Sequence, residues 1–565
     1  MKTRNKLYDK SRLRLLCLLT ALLGIFGAGQ TWAGNPTTLT VGGTNALNGG
    51  YWTTDESGTL TEASADNYNV YYDGNGTLTL KGATINGTNI IGHVGAGIYA
   101  EGDLTIVLEG TSTVTGVQDP NDESQSIRVS GNLTIQGGGS LTAQGAETSS
   151  GSSYGIFVTE SFTQQGGSVT ANGGDVSGSY KSAGLYVSGG TVTVEGGTLT
   201  ATGGDTSGSS YGISASGTVT VGSAAVTATS GSAGYASYGL YIDSSSPSVT
   251  ISGGGSLTAR SGSATSEAVG IYVLNLFGSA GAVTVGDNST LLANSVILFD
   301  QSFAEKPLAP NGNGSWLIYG QSNQTSAVGG NYTLTDNLTI ESGNTLTIPA
   351  GSTLTIPNGK TLTADANQLV VNGELVLEGT FENAKNLTGS GNLVLGEITL
   401  TDDKGISEYA GYHLKLKSKK VTYTRALSDN SQYGTICLPF VPTSVAGGQV
   451  TYYQVEKLGS NVITLVETDF EAGKPLFYQT PGTGSITFSA ESAAGVELVT
   501  IPATDSFMVG TMSVDTPTAG YFLKKNNFYP ITDEVQVKVK PFRAYVKGQN
   551  DASQASVMSV NVARP

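Results

Sequence analysis

Disulfides, histidine chemistry and clustered positive charge are missing from most of this sequence. Of its two cysteines, Cys17 lies in an apolar N-terminal stretch and Cys437 stands alone after it, so no intrachain disulfide can form. A thiol between Ile436 and Leu438 reads as a small core residue rather than a reactive one. The two histidines, His93 and His413, are far apart and have no metal-ligand company, which removes the usual zinc sites. No run of about 18 apolar residues follows the N-terminal stretch, so no spanning helix is expected there. Nor does any long segment show helical periodicity, and the chain reads as almost entirely β.

What is present begins with an export signal. Lys2, Arg4, Lys6, Lys10, Arg12 and Arg14 precede the apolar run 15–28, and Thr31-Trp32-Ala33 offers small residues where a signal peptidase reads. The pattern predicts cleavage near Ala33, a mature chain from about Gly34, and a secreted or outer-surface location. The mature chain keeps 22 basic and 43 acidic residues, a net charge of −21. Nucleic acid and anionic membranes need clustered Lys and Arg, so neither is an expected partner.

The 79 glycines are patterned, not scattered. A strand of the type Tyr-Gly-Ile-x-Val, a Thr-Val-Thr-Val strand, a Gly-Gly-x-Leu-Thr-Ala strand and a Gly/Ser loop recur with anchors at Gly97, Ser126, Gly155, Gly184, Gly212, Gly239 and Gly270, in steps of 27 to 31 residues. The residue after each anchor is Ile98, Ile127, Ile156, Leu185, Ile213, Leu240 or Ile271, and two positions on stand Ala100, Val129, Val158, Val187, Ala215, Ile242 and Val273. Columns this uniform belong to one shared interior. A single repeat cannot bury enough to fold, so coils must stack. The fold expected is all-β: a right-handed parallel β-helix over 95–299 with three short strands per coil of about 28 residues, handed by the crossover rule.

Residues 34–94 read as a cap and first coils, with Trp52, Tyr68, Tyr71 and Tyr72 supplying bulk. Residues 300–332 read as an irregular connector anchored by Trp316 and Tyr319. Leu338, Leu346, Leu354 and Leu362 recur every eight residues and predict a tighter solenoid over 333–400. The remainder, 401–565, loses the period and reads as an antiparallel, β-sandwich-like domain.

One outward column is distinctive. It holds Tyr99, Arg128, Phe157, Tyr186, Ser214, Tyr241 and Tyr272, and coils about 4.8 Å apart would make it a ladder on one face. Flat rings suit the apolar faces of pyranose sugars, and a repeating ladder suits a repeating polymer. Stacked rings also stabilise a sheet by themselves. Asp175 and Asp205, in paired Gly-Gly-Asp loops, are expected to stack on neighbouring coils, where a cation such as calcium or simple solvation would relieve their repulsion. Asp119, Asp122 and Glu123 form a second acidic loop. The two stacked aspartates could reach the spacing of a retaining glycosidase, but near-identical loops offer nothing to separate their pKa values, and only Lys181 is a basic neighbour. The expected role is therefore non-catalytic glycan binding. A structural stalk or adhesin is the alternative, and a polysaccharide-degrading enzyme a third.

Two resemblances bear on this. Leu104-Thr105-Ile106-Val107-Leu108-Glu109-Gly110, Asn132-Leu133-Thr134-Ile135 and the Gly-Ile starts of successive coils make 77–293 resemble a clostridial family of secreted parallel β-helix carbohydrate-binding proteins. That resemblance implies binding of acidic plant polysaccharide and calcium through acidic residues just before Gly-Ile. Here those places hold Ala96, Tyr154, Ala183, Tyr211, Tyr238 and Val269, so the fold is implied more than the calcium site. Separately, 433–440 (Tyr-Gly-Thr-Ile-Cys-Leu-Pro-Phe), 470–475 and 539–545 make 421–548 similar to a module that ends many cell-surface proteins of gut Bacteroidetes, which implies a surface setting without implying any chemistry.

Overall fold

The computed structural model describes residues 34–562 except 91–93, 118–122, 276–280, 300–304, 308, 321–325, 382–386, 407–413, 428–431, 460, 481–483 and 549–556. The expected signal peptide, His93, His413, Asp119 and Asp122 lie outside the described residues. Every regular element described is a strand, and no helix among the described residues is long and apolar enough to cross a membrane. The chain divides into two compact units, up to Gly314 and from Ser315 onward.

The first unit is a parallel β-solenoid. Eight strands stack on its first face, from Val94–Glu101 through Glu123–Val129, Ser153–Val158, Lys181–Val187, Ser209–Ala215, Ala236–Asp243 and Glu267–Leu274 to Val296–Phe299. The register is the one the repeat predicts: Ile98, Ile127, Ile156, Leu185, Ile213, Leu240 and Ile271 pair in one unbroken column. Each of them is fully buried. The second and third faces stack likewise, Val192↔Val219↔Val249↔Val283 on one and Leu141↔Val169↔Leu199↔Val226↔Leu257 on the other. Thr-x-Thr alternation puts the apolar residues of these faces inside and the threonines outside. At the corner between these two faces Gly167 (φ 74°) and Gly197 (φ 79°) adopt left-handed backbone, whereas the next coil turns with Ala224 in the position of Gly197 and without positive φ there.

A buried hydroxyl column locks the loops to this stack. Ser124, Ser153, Ser182, Ser210 and Ser237 stand two residues before successive anchors, all wholly buried. Ser182 Oγ donates to Gly174 O (2.8 Å) and accepts from Gly204 N (2.8 Å). Ser153 does the same with Ala146 O and Gly174 N, and Ser210 with Gly204 O and Gly231 N. Ser153, Ser182 and Ser210 thus each satisfy one loop group on their own coil and one on the next, where an apolar residue would orphan both.

Residues 34–94 combine antiparallel strands with the first parallel pairings of the stack. Thr38–Val41 runs antiparallel to Val94–Glu101 and so covers the open end of the first face. Leu60–Glu62, Gly50–Thr54, Val70–Tyr72 and Thr77–Lys81 lie side by side in that order, antiparallel, with Trp52 and Tyr72 buried. Thr77–Lys81 and Thr84–Asn86 already pair in parallel with the next coil.

In the second unit the short-period solenoid has the three edges expected. Leu338 pairs with Leu362, Leu346 with Leu369 and Leu354 with Leu375. The stretch read as irregular contains a hairpin, Ser315–Ile318 with Ser326–Gly329, and Gly329 gives way to the Trp316 ring, which a Cβ there would strike. The solenoid does not stop near 400. Asn392–Leu400 pairs in parallel with Lys415–Leu427, which in turn pairs antiparallel with Gly484–Glu497, so solenoid and C-terminal domain share a sheet. The rest of the C-terminal domain is one nine-stranded sheet, mostly antiparallel, running from Tyr433–Ile436 to Met508–Thr511 at its two ends. It curls into a nearly closed barrel, because Cys437 N donates to Phe542 O and Ala544 N to Thr435 Oγ1 across the gap.

Cys437 lies inside that closure, fully buried, with Gly510 so near that a Cβ there would strike its sulfur. Burial pushes the thiol pKa up to about 12. The native protein should therefore not react with a thiol reagent at pH 8, and labelling should appear only in denaturant; stoichiometric labelling of the folded chain would refute the closure.

Candidate binding face

The outward side of the first-strand sheet differs from the two threonine-coated faces. Pairing places Tyr99, Arg128, Phe157, Tyr186, Ser214, Tyr241 and Tyr272 in one row, as the spacing requires. All the side chains assigned to the ladder are thus brought together.

Their environment is less open than the sequence suggests. A second outward row, Tyr154, Tyr211 and Tyr238, lies one residue before the anchors and interleaves with the first. Tyr154 sits 5.4 Å from Phe157 and 5.1 Å from Tyr186 between ring centres, and Tyr238 sits 5.1 Å from Tyr241 and 5.0 Å from Tyr272. Phe157 stacks on Tyr186 and Tyr241 on Tyr272, with 10° between planes in each pair. A ring whose face lies against the next coil has mainly its edge left for a ligand. The two rows therefore form a small core of their own on the outside of the sheet, in which Tyr272 is only 7% exposed. Where the first row has Ser214, the Tyr211 ring takes the space, edge-on to Tyr186 and Tyr241. Sequence reasoning noticed these tyrosines only as departures from an acidic pattern, although their recurrence before the anchor was the available signal.

Polar groups edge the cluster. Lys181 Nζ lies 3.1 Å from Tyr186 Oη and 5.1 Å over its ring, and Arg128 lies 4.8 Å over Phe157. Tyr238 Oη donates to Glu267 Oε2 (2.6 Å), and Tyr99 Oη to Glu101 Oε1 (2.7 Å). Burial raises the phenol pKa of Tyr154, Tyr211, Tyr238 and Tyr241, so these hydroxyls stay neutral hydrogen-bond donors at physiological pH.

Two further tyrosines, which sequence reasoning did not single out, are open. Tyr180 is 45% and Tyr235 65% exposed, each four residues before its anchor. Gly208 holds the same place on the coil between them and accepts the Tyr235 N–H. The pair is thus two coils, about 9.6 Å, apart along the stack. Tyr180 directly precedes the first-face strand Lys181–Val187, and Tyr235 directly precedes Ala236–Asp243.

Asp175 and Asp205 do stack on neighbouring coils, in a loop ladder that runs Thr148, Val176, Thr206, Ala233, Ala264. The carboxylates are held by backbone: Asp175 Oδ1 accepts from Asp205 N (2.8 Å) and Asp205 Oδ1 from Ser232 N (2.7 Å). Both bonds reach the loop of the next coil, so each aspartate ties successive loops together. Among the described residues no group of three or more His, Cys, Asp or Glu side chains stands where it could hold a metal ion. Glu123 belongs to the first-face strand Glu123–Val129, and its Oε2 accepts from Gln125 Nε2 (3.1 Å).

Neither a family model nor a curated protein matches the chain. Solved structures similar to it include two mutant forms of the tailspike protein of E. coli bacteriophage HK620, at 11% and 13% identity, each covering 84% of this chain and 87% of that one at a TM-score of 0.19. At that score the fold description rests on the strand pairings above.

Proposed function

We propose that the protein is exported and that its β-helix binds an extended glycan without cleaving it, along the tyrosine-bearing face. The observation that carries this reading is that, among the described residues of the coils 95–299, the outward aromatic side chains gather on the first face while Phe162 of a second face points inward, together with two open tyrosines next to the first-face strands. Packing alone accounts for the inner rings; it does not account for Tyr180 and Tyr235, whose solvent-facing rings stabilise little. A tyrosine ring with an exposed hydroxyl can meet both the apolar face and the hydroxyls of a sugar. Tyr99, Arg128, Phe157, Tyr186, Tyr241 and Tyr272 support the platform and offer edges and hydroxyls, while the open pair makes the ring-to-sugar contacts. The stacked aspartates, each accepting a main-chain N–H of the next coil, tie successive loops and are not assigned catalysis.

The test separates binding from scaffold. Tyr180→Ala with Tyr235→Ala should leave the thermal transition of the exported chain unchanged and weaken retention in polysaccharide affinity gels by about tenfold, the loss of one to two kcal/mol per contact region. Unaltered retention of a polysaccharide that the parent chain binds would remove the tyrosine face as its site, and failure of the parent chain to be retained by any polysaccharide would leave the stalk or adhesin reading.

A further inference from the structure

Although the exported chain is strongly acidic, 15 of its 22 basic residues lie in 401–565. Six of them, Arg425, Lys524, Lys525, Lys538, Lys540 and Arg543, line a single cavity of about 620 Å³ in the C-terminal domain. Its volume falls within the range of small-ligand sites. The cations are placed by separate elements. Arg425, 8% exposed on Lys415–Leu427, lies 5.0 Å over the Tyr478 ring and donates Nη1 to Thr435 O (2.5 Å). Lys524 and Lys525 stand at the tip of the hairpin Gly520–Lys524/Asn527–Ile531, whose turn is set by positive φ at Lys525 (48°) and Asn526 (65°). Arg543 donates Nη2 to Asp402 Oδ2 (2.5 Å), yet its Nε is buried with no hydrogen-bond partner.

The carboxylates beside this site are partly committed: Asp402 is shared with the Tyr423 hydroxyl (2.6 Å), Asp515 is hydrogen-bonded to the cavity-lining Tyr545, and Asp403 meets Lys540 only at 3.7 Å with both side chains mostly exposed. Six like charges around one concavity repel, and a bound anion relieves that repulsion through charge-assisted hydrogen bonds. Tyr433, Tyr478, Phe522 and Tyr545 line the same cavity and add apolar rings to the cations. Cations beside aromatic rings match a sugar that carries a negative charge.

We propose that this cavity binds an acidic sugar, a carboxylate- or sulfate-bearing residue of a glycan chain, as a second site separate from the tyrosine face. The sugar part of this inference rests on the glycan-binding reading above; the anion part rests on the cavity alone. The experiment is calorimetric titration of the full exported chain with a galacturonate trimer, a sulfated heparin-derived tetrasaccharide, uncharged cellotetraose and inorganic tripolyphosphate. One of the two acidic sugars is expected to bind, more weakly as salt rises, and about tenfold more weakly in Lys524→Gln with Lys538→Gln, two exposed side chains whose loss leaves the barrel intact. Which acidic sugar binds tells carboxylate from sulfate. Tyr180→Ala with Tyr235→Ala should leave this binding unchanged, so the tyrosine face can fail while this site stands. Failure of both acidic sugars to bind, binding indifferent to the lysine substitutions, or equally tight binding of tripolyphosphate or cellotetraose would overturn the proposal.

Discussion

Leu185→Ala should cost the β-helix about 2–5 kcal/mol, the usual result of emptying a fully buried leucine position, while Tyr186→Ala, one residue on, should cost about 1–2 kcal/mol, the worth of one or two aromatic contacts. Leu185 lies between Ile156 and Ile213 in a column with no solvent contact, so its removal leaves a void that adjacent coils cannot close without losing register. Tyr186 stacks on Phe157 and leans on Tyr154 and Tyr211, but those rings can shift into water's place on an outer surface. Urea unfolding midpoints of the two variants, compared at equal slope, measure the difference. Equal losses would mean that the two sides of the strand are not core and surface.

Ser182→Ala should lower stability by about 2–4 kcal/mol, because two buried main-chain groups lose their partner at about 1–3 kcal/mol each. Gly174 O and Gly204 N belong to loops on successive coils, and Ser182 Oγ serves both. Serine to alanine in this chain would ordinarily be silent. Ser188→Ala, exposed at the end of the same strand, should shift the midpoint by less than about 0.5 kcal/mol and is the control. A silent Ser182→Ala would mean that water replaces the hydroxyl and that the column is not continuous.

These two residues also mark what could be read beforehand. The Leu185 column was legible because aliphatic side chains at a constant step stand out against glycine and serine. The serine column was written at the same step, two residues before each anchor, but a serine inside a serine-rich loop carries no contrast until the coils are aligned. The second tyrosine row is legible in the same way, since Tyr154, Tyr211 and Tyr238 each stand one residue before an anchor. Asp175 and Asp205 were placed on adjacent coils from sequence, whereas their main-chain partners depend on loop geometry that spacing does not encode. In the C-terminal domain the cavity residues run from Arg425 to Tyr545 and meet only through antiparallel pairings between distant strands, so no local pattern announces them. The continuation of the solenoid sheet into Lys415–Leu427 was hidden for a related reason: the aliphatic period ends near Leu400, but main-chain pairing does not.

Binding without cleavage along the tyrosine face is the claim on which the functional account turns. Its most direct test is prolonged incubation of the purified protein with a polysaccharide that it retains in an affinity gel, followed by measurement of the polymer's chain length. The account predicts retention with the length distribution unchanged. Steady shortening of the polymer, abolished by heat denaturation of the protein, would contradict it and place catalysis on the helix.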